Sequence, residues 1–536
     1  MPFLRIENKP SGQYLRILES YRKEDGKSTH RTLYSIGRVD DYTPEQLKSM
    51  GVKLFELGGG EVKALLQGEA REKARYNYGY AMVYGKVLKH YGLHHIIARI
   101  QRKGKLKFDL YNAVLLMLLE RLHDPCSKRS NWFHREDYLG IAPLELQHIY
   151  RALDKLAAHS KLIQRQIFQT GRDMFNQQMD VVFYDVTTLY FESEVETEGN
   201  LRQKGFGKDG KIGNTQVLFC MMIDKNKNPV GYHIFKGNTF EGHTLEHALR
   251  DLKQEYQIDK IIVVADRGML SKNNLSLIEK EGYEFIIGDR IKSLPAAIQE
   301  PLLKSKDFKH EWIYTDNNDE KILIKYTTLE YGGKTIIATY SDKRAKKDKY
   351  DREEKVEKAR KLLKEPNLLN KKAARYYLKQ ENTSKYVLDE KKIKADAVYD
   401  GILAIATNNT TLKHTEILEQ YKQLFKIEHS FRTFKSHLEM RPMFHWTNIR
   451  IEGHICLCYI AFALNNFILQ KALAHKLPIS EMQLREALDK MQLSLVDVNE
   501  KEVYLRSKPT ATETSLLNLL GLKPLPPVAE KSALSL

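Results

Sequence analysis

The sequence predicts a mixed α/β protein whose central sheet is flanked by helices. Three observations predict it. Apolar, strand-length runs begin near Met179; amphipathic helical stretches separate them; and a late apolar run at 401–406 resumes the sheet after a long interruption. A hairpin and a helical segment precede the sheet.

Residues 3–39 alternate in the manner of strands. Runs at 14–18 and 31–36 flank the turn-like Glu24-Asp25-Gly26, so a small hairpin is expected. It carries Arg5, Arg16, Arg22, Lys23, Arg31 and Arg38, which suits a DNA-contacting ribbon and a solvated hairpin equally. From about 73 to 176 the pattern is helical, with a buried helix around 111–119. Arg102, Lys103, Lys105, Lys107, Lys128, Arg129 and Arg135 lie on either side of it. The last three are close to Trp132 and Phe133. A DNA-end-binding region fits, as do charged faces that are only solvated.

After 179 the rhythm changes. A strand at 181–190 is followed by runs at 216–223 and 230–235, joined by the turn residues 224–229. A helix at 243–256, an apolar strand at 260–266, a helix at 270–280 and a short strand at 285–288 complete the series. That order is the order of an RNase H-like sheet. Residues 290–399 interrupt it with a β-rich insertion: a hairpin around Gly332-Gly333 and a highly charged helix at 346–364. The strand at 401–406 then resumes the sheet. One helix is expected over 415–437 and an apolar one over 449–474. The tail beyond Pro509, with Pro524, Pro526 and Pro527, is read as loosely ordered. The expected division is an N-terminal hairpin region (1–72), a helical DNA-binding domain (73–176), an RNase H-like core in two parts (177–289 and 400–475), an insertion (290–399) and a C-terminal region (476–536).

Lys and Arg number 86 against 69 Asp and Glu, a net charge of +17 in 536 residues. Such an excess favours polyanionic partners, because each phosphate neutralised releases counterions. Cys126, Cys220, Cys456 and Cys458 are too sparse for a disulfide framework, which points to a reducing, cytoplasmic setting. His454, Cys456 and Cys458 lack a second ligand pair at zinc spacing and belong to an apolar helix, so they are read as core. The first ten residues hold no apolar signal region. The most apolar stretch, 455–469, is broken by Asn465 and Asn466 and is shorter than the ~20 residues of a membrane span.

Asp185 sits mid-strand among apolar neighbours, where a carboxylate is costly unless paired or metal-bound. Asp266 ends an apolar strand, and strand ends of α/β sheets face the ligand crevice. At ~100° per residue, Tyr421, Phe425, Glu428, Arg432 and Lys435 share one line of a helix. Leu424, Ile427, Phe431, Phe434 and Leu438 form a separate apolar stripe. Taken alone, Glu428 and Arg432 fit an i,i+4 surface pair equally well. Together the three carboxylates suit phosphoryl transfer with two divalent ions about 3.5–4 Å apart, Mg²⁺ or Mn²⁺. The basic loop 203–211 carries Lys204 and Lys208 but lacks P-loop spacing. A flexible linker and a DNA clamp both fit it.

Phe183-Tyr184-Asp185-Val186-Thr187-Thr188, Val264-Ala265-Asp266-Arg267-Gly268, and Tyr421, Leu424, Glu428 and Lys435 resemble the three catalytic blocks of DDE transposases from bacterial insertion sequences. The branch resembled carries a Tyr-Arg-Glu-Lys signature. Lys208-Asp209-Gly210, Asp400-Gly401, Arg441-Pro442 and His445-Trp446 resemble it too, and the likeness runs from about 179 to 464. It implies that Asp185, Asp266 and Glu428 bind two Mg²⁺ ions, with Mn²⁺ as substitute. Tyr421 and Lys435 would contact phosphate, with Arg432, Arg267, Lys204 and Lys208 as further DNA contacts. Leu424 stands where the signature has Arg, and Arg432 or Arg267 would supply the missing cation. The implied activity is strand cleavage and transfer at terminal inverted repeats, with joining to target DNA. The acting form would be a homodimer or larger synaptic complex near the nucleoid. A DNA-binding regulator, or a transposase that has lost catalysis, is the alternative.

Overall fold

The structure, a computed structural model, describes residues 2–23, 28–58, 70–141, 143–175, 181–196, 199–205, 213–269, 271–304, 308–315, 320–364, 376–382, 385–477, 479–498 and 501–530. The turn Glu24-Asp25-Gly26 and most of the basic loop, Lys208 included, lie outside them.

Two compact units form. The first comprises Met1–Arg75, Leu493–Ser507 and Leu525–Ser535. Its strands β1 (Pro2–Lys9), β2 (Gly12–Arg22) and β3 (Ser28–Arg38) make an antiparallel sheet rather than a lone hairpin. β1 satisfies the backbone groups of the β2 edge, pairing Phe3 with the buried Leu18. Helix α1 (Pro44–Leu57) starts at a capping box between Thr43 and Gln46. Next, β4 (Ala70–Tyr76) joins a second sheet with β17 (Leu493–Val498), β18 (Lys501–Arg506) and β19 (Val528–Glu530), in the order β19-β18-β17-β4. Lys73 ties the two ends of the chain together, 2.7 Å from Asp497 and 3.2 Å from Glu502. The proline-bearing tail is therefore structured at β19, which pairs Ala529 with Tyr504, both buried.

The second unit comprises Tyr76–Gln492 and Lys508–Pro524. It opens with helices α2 (Tyr78–His90), α3 (Leu93–Lys103), α4 (Leu110–His123), α5 (Lys128–Phe133), α6 (Leu146–Ala158) and α7 (Ser160–Phe175). Then come β5 (Val181–Tyr190), β6 (Gln203–Lys204), β7 (Thr215–Asp224), β8 (Pro229–Lys236), α8 (Leu245–Gln254), β9 (Ile262–Ala265), α9 (Lys272–Lys280) and β10 (Glu284–Asp289). The expected insertion holds α10 (Ala296–Leu303), β11 (His310–Thr315), β12 (Lys321–Tyr331), β13 (Lys334–Tyr340), α11 (Asp342–Lys364), β14 (Leu378–Asn382), β15 (Lys385–Leu388) and α12 (Glu390–Ala397). Finally β16 (Ile402–Thr407) leads to α13 (His414–Lys422), α14 (Phe425–Arg432), α15 (Asn448–Ala474), α16 (Glu481–Lys490) and α17 (Ala511–Leu519).

Ten strands form one mixed sheet, ordered β11-β12-β13-β16-β10-β9-β5-β7-β6, with β8 also on β7. The hairpin of the insertion thus extends the central sheet: β13 pairs along β16, burying Ile336, Ile337 and Ala338. The face made by Val182, Tyr184, Val186, Val263, Ala265, Phe285 and Ile287 packs under Leu245, Leu249, Leu275 and Ile278 of α8 and α9. Alternation along each strand sends Asp185 and Asp266 to the opposite face.

Helix α15 is apolar on every side and is buried from Gly453 to Ile468, so α2, α4, α6 and α7 wrap it. By length and composition this 27-residue helix would cross a membrane, longer than the stretch expected from sequence; 83% of its most apolar window is buried inside the protein. His454, Cys456 and Cys458 are buried within it.

Candidate active site

Strands β5 and β9 run parallel, with Tyr184 opposite Ala265. The next residues in the chain are Asp185, on β5, and Asp266, just past the end of β9, so the two aspartates stand level, about one strand spacing (~4.8 Å) apart at the main chain. Each orients an oxygen on a main-chain N–H: Asp185 Oδ1 accepts from Val186 at 2.7 Å, and Asp266 Oδ1 from Gly268 at 2.8 Å. Both are half-buried.

Glu428 comes from above. Asp185 pairs with Met221 on β7, and Thr187 with Phe219, so Phe219 is on the aspartate face. Phe431 and Phe434 pack on Phe219, with ring centroids 6.0 and 5.3 Å away. Helix α14 is thereby pinned over that face by Ile427, Phe431 and Phe434, while Glu428 and Arg432 stay exposed. Among the described residues, the three acids are not drawn together to the 4.8 Å mutual ligand spacing found at Glu120, Cys126 and His134. The all-oxygen donor set of the three acids fits a hard divalent ion.

The single helix expected over 415–437 is broken. α13 ends at Lys422, Gln423 and Leu424 form a tight turn, and α14 starts at Phe425. Short i→i−3 bonds mark the break: Leu424 N–H to Tyr421 O at 3.1 Å and Ile427 N–H to Leu424 O at 3.2 Å. The helix then widens into a π-helical turn, Thr433–His437, which carries Lys435. Such turns recur at functional sites. Leu424 is buried at the break, so the position where the resembled signature has Arg is used for packing here.

Tyr421 lies at the other end of this turn. Gly288 falls level with Asp266, because β10 pairs Ile287 with Ala265. A Cβ on Gly288 would lie 2.3 Å from the Tyr421 hydroxyl and 3.2 Å from the Arg267 nitrogen. The missing side chain is what lets the phenol reach the aspartate face. Burial pushes the Tyr421 hydroxyl up to about 12; Asp266 and Glu428 push the same way, and Arg344 and Arg267 oppose them. The phenol therefore keeps its proton near neutral pH and is able to donate a hydrogen bond.

Arg267 is exposed beside Asp266, and Arg432 is exposed at the end of α14. Arg344, at the start of α11, is a cation that sequence reasoning missed. It sits in a run of charged residues that looks like any solvated helix. Lys204 is exposed on β6, at the far edge of the sheet, and Lys208 is outside the described residues.

Residues 4–76 match the family model for the IS1634 family transposase N-terminal domain, and 176–465 match the transposase DDE domain. No curated protein matches. A solved piggyBac transposase synaptic complex with hairpin DNA is 9% identical, with a TM-score of 0.36 over 77% of this chain and 78% of that one. A Mos1 transposase paired-end complex with the left transposon end is 13% identical, with a TM-score of 0.15 over 38% and 64%. Likenesses that low carry no weight beside the family match. The DDE domain alone spans more than half of the 536 residues and takes in Asp185, Asp266 and Glu428. The chain belongs to the DDE transposases of insertion sequences, enzymes that use divalent metal ions to cleave DNA and transfer its strands.

Proposed function

We propose that Asp185, Asp266 and Glu428 are the catalytic acids of this transposase. They would hold two Mg²⁺ ions, replaceable by Mn²⁺, while the enzyme cuts the terminal inverted repeats of its element and joins them to target DNA. One observation carries this reading: the Tyr184–Ala265 register sets two aspartates abreast on the face covered by α14, the helix of Glu428. The strand pattern supports an RNase H-like core, with antiparallel β8-β7-β5 on one side and parallel β9 and β10 on the other. The bound ions would activate the attacking hydroxyl and stabilise the leaving oxygen.

The chain's own groups do the rest. The Tyr421 hydroxyl donates a hydrogen bond to a non-bridging phosphate oxygen. Arg267, Arg432 and Lys435 neutralise the same strand, with Lys204 and Lys208 as outlying contacts. Arg344 stands in for the cation absent at Leu424. Residues 73–176 and the N-terminal region bind the DNA ends, and a homodimer or larger synaptic complex, associated with the nucleoid in the cytoplasm, pairs them. The division into 1–72, 73–176, 177–289, 290–399, 400–475 and 476–536 belongs to this proposal.

Replacing Asp185, Asp266 or Glu428 by Ala is expected to lower Mg²⁺-dependent nicking of a terminal-repeat duplex at least ~10³-fold, while the gel shift persists. In wild type, Mn²⁺ should raise the melting temperature by mass action, and Asp185→Asn should remove that rise. Undiminished nicking by all three Ala variants would reject the assignment. Loss of catalysis in this copy, prompted by Leu424, predicts instead a gel shift with no cleavage by the wild type.

A further inference from the structure

A second basic site lies beyond the catalytic acids. A cavity of about 290 Å³ opens between the start of α5 and the segment that links α14 to α15. Among the described residues, four basic side chains line it, Arg121, Lys128, Arg441 and Arg450, and one carboxylate, Glu439. Arg121 and Lys128 are only 5% and 3% exposed. Their hydrogen bonds go to neutral acceptors. Arg121 donates to the carbonyls of Leu438 and Cys126, each at 3.1 Å, and Lys128 to Asn131 Oδ1 at 3.1 Å. Glu120, the nearby acid, already accepts from Tyr138, Cys126, Asn131 and His134.

Buried cations facing neutral groups are costly unless an anion joins them. Among the described residues, two buried nitrogens lining this cavity, Arg121 Nε and His454 Nδ1, have no hydrogen-bond partner. Burial, followed by the charge of Arg121, drives the Lys128 ammonium down to about 7. An entering anion would favour its charged form.

The rim is aromatic. Phe444 and Trp446 are 69% and 61% exposed, unusual for side chains of this size. Arg202 stacks 4.3 Å from the Trp446 ring centre and fixes the indole. Exposed aromatics beside a cationic groove are the elements with which proteins hold single-stranded nucleic acid. The cavity is too small for a duplex and has the size of one nucleotide. Its position also fits. Met443 N–H bonds to the Tyr190 carbonyl at 3.0 Å, anchoring this segment at the end of β5. Asp185 is five residues back on that strand, roughly 16 Å at ~3.3 Å per residue.

We propose that this cavity holds one nucleotide of a single-stranded DNA segment, with its phosphate among Arg121, Lys128 and Arg450 and its base against Trp446. The assignment rests on the proposed catalytic centre only for the route of the strand, so its test is run without metal. Fluorescence anisotropy in EDTA compares a labelled short oligothymidylate with a blunt duplex of the same length. Trp446→Ala and Arg450→Gln are each expected to weaken oligothymidylate binding about 10-fold. Both should leave the duplex within about 2-fold, and Trp446→Phe should recover most of the loss. Trp446 is exposed, so the melting temperature should not move. Equal losses on both DNAs would overturn the proposal. So would oligothymidylate binding that inorganic phosphate abolishes and Trp446→Ala leaves unchanged, which would mean a bare anion site. Loss of nicking in the acid variants with intact oligothymidylate binding would leave it standing.

Discussion

The fine geometry of the site turns on a glycine. Gly288 sits abreast of Asp266 and leaves room for the Tyr421 hydroxyl, which a Cβ would meet at 2.3 Å. Real carbon–oxygen contacts do not reach that distance, so Gly288→Ala must expel the phenol from the aspartate face. The glycine's φ is not in the left-handed region, so the backbone itself tolerates Ala. Gly288→Ala is expected to cut the nicking rate about 10-fold or more while shifting the melting temperature by only a few degrees. A rate within 2-fold of wild type would show that Tyr421 plays no part in the chemistry. This residue also marks the limit of what the sequence reveals. Asp185 and Asp266 stand out because a carboxylate inside an apolar strand needs a reason. Nothing local flags Gly288, whose role arises only from a tyrosine 133 positions later, nor Arg344, which hides in a helix of like-looking charges.

Between elements, two contacts show how the helices are fixed. Helix α15 passes α6 so closely that a Cβ on Gly453 would lie 2.2 Å from the Leu153 carbonyl oxygen. The obstacle is main chain, which no rotamer change relieves. Gly453→Ala should destabilise the protein by about 1–3 kcal/mol in urea unfolding. The control is Gly85→Ala in α2, where, among the described residues, nothing beyond the helix's own adjoining backbone lies within 4 Å of the added carbon. It should stabilise by roughly 0.5–1 kcal/mol. If the two variants matched, close α15–α6 packing would be refuted. The second contact holds α8: Asp251 pairs with Lys161 of α7 and with His233 of β8, the latter at 3.2 Å. Burial pushes this carboxyl up, but the bonds to His233 and Lys161 outweigh it and bring it down to about 2, from 3.8. A depressed carboxyl contributes stability that is present above 3.8 and lost as pH falls toward 2. Asp251→Asn should therefore cost about 2 kcal/mol at pH 7. Its gap to wild type should narrow as the pH is lowered from 4 to 3, and a gap unchanged over that range would exclude the ion pair as its source. Helical phase located α14 and its exposed acid, but not the break at Leu424 or the π-helical turn after Arg432. Both arise where burial of Leu424, and of Phe431 and Phe434 against Phe219 of the sheet, overrides a uniform helix, a demand set by distant parts of the chain.

At the scale of the whole molecule, the inner strands of the central sheet were legible because each announces itself over a few apolar residues, whereas β6 inside the basic loop and β11 in the insertion were not, and the insertion's hairpin gave no sign that it extends the sheet. The terminal sheet was not legible either. β4 belongs with β17, β18 and β19, more than 400 positions later, and no short-range pattern records such a pairing. Proline in the tail suggested loose structure, whereas β19 uses the residues just after Pro527 to complete that sheet. Net charge is the molecular property with the most direct consequence. An excess of 17 positive charges on a DNA-cleaving enzyme means that affinity comes largely from counterions released at phosphates. Each phosphate contact contributes a slope of about −0.9 in log K against log[salt] on duplex DNA. If Arg267, Arg432 and Lys435 act together with basic side chains of the N-terminal region, on the order of six contacts form. Affinity should then fall about 10³-fold between roughly 50 and 200 mM salt. Removing Lys435 should make the slope shallower by about one contact, alike for every DNA sequence tested, since a phosphate contact carries no base information. A slope near zero, measured by anisotropy in EDTA, would contradict phosphate-dominated binding. A Lys435 variant that changed sequence preference but left the slope intact would move that residue from the backbone to the bases.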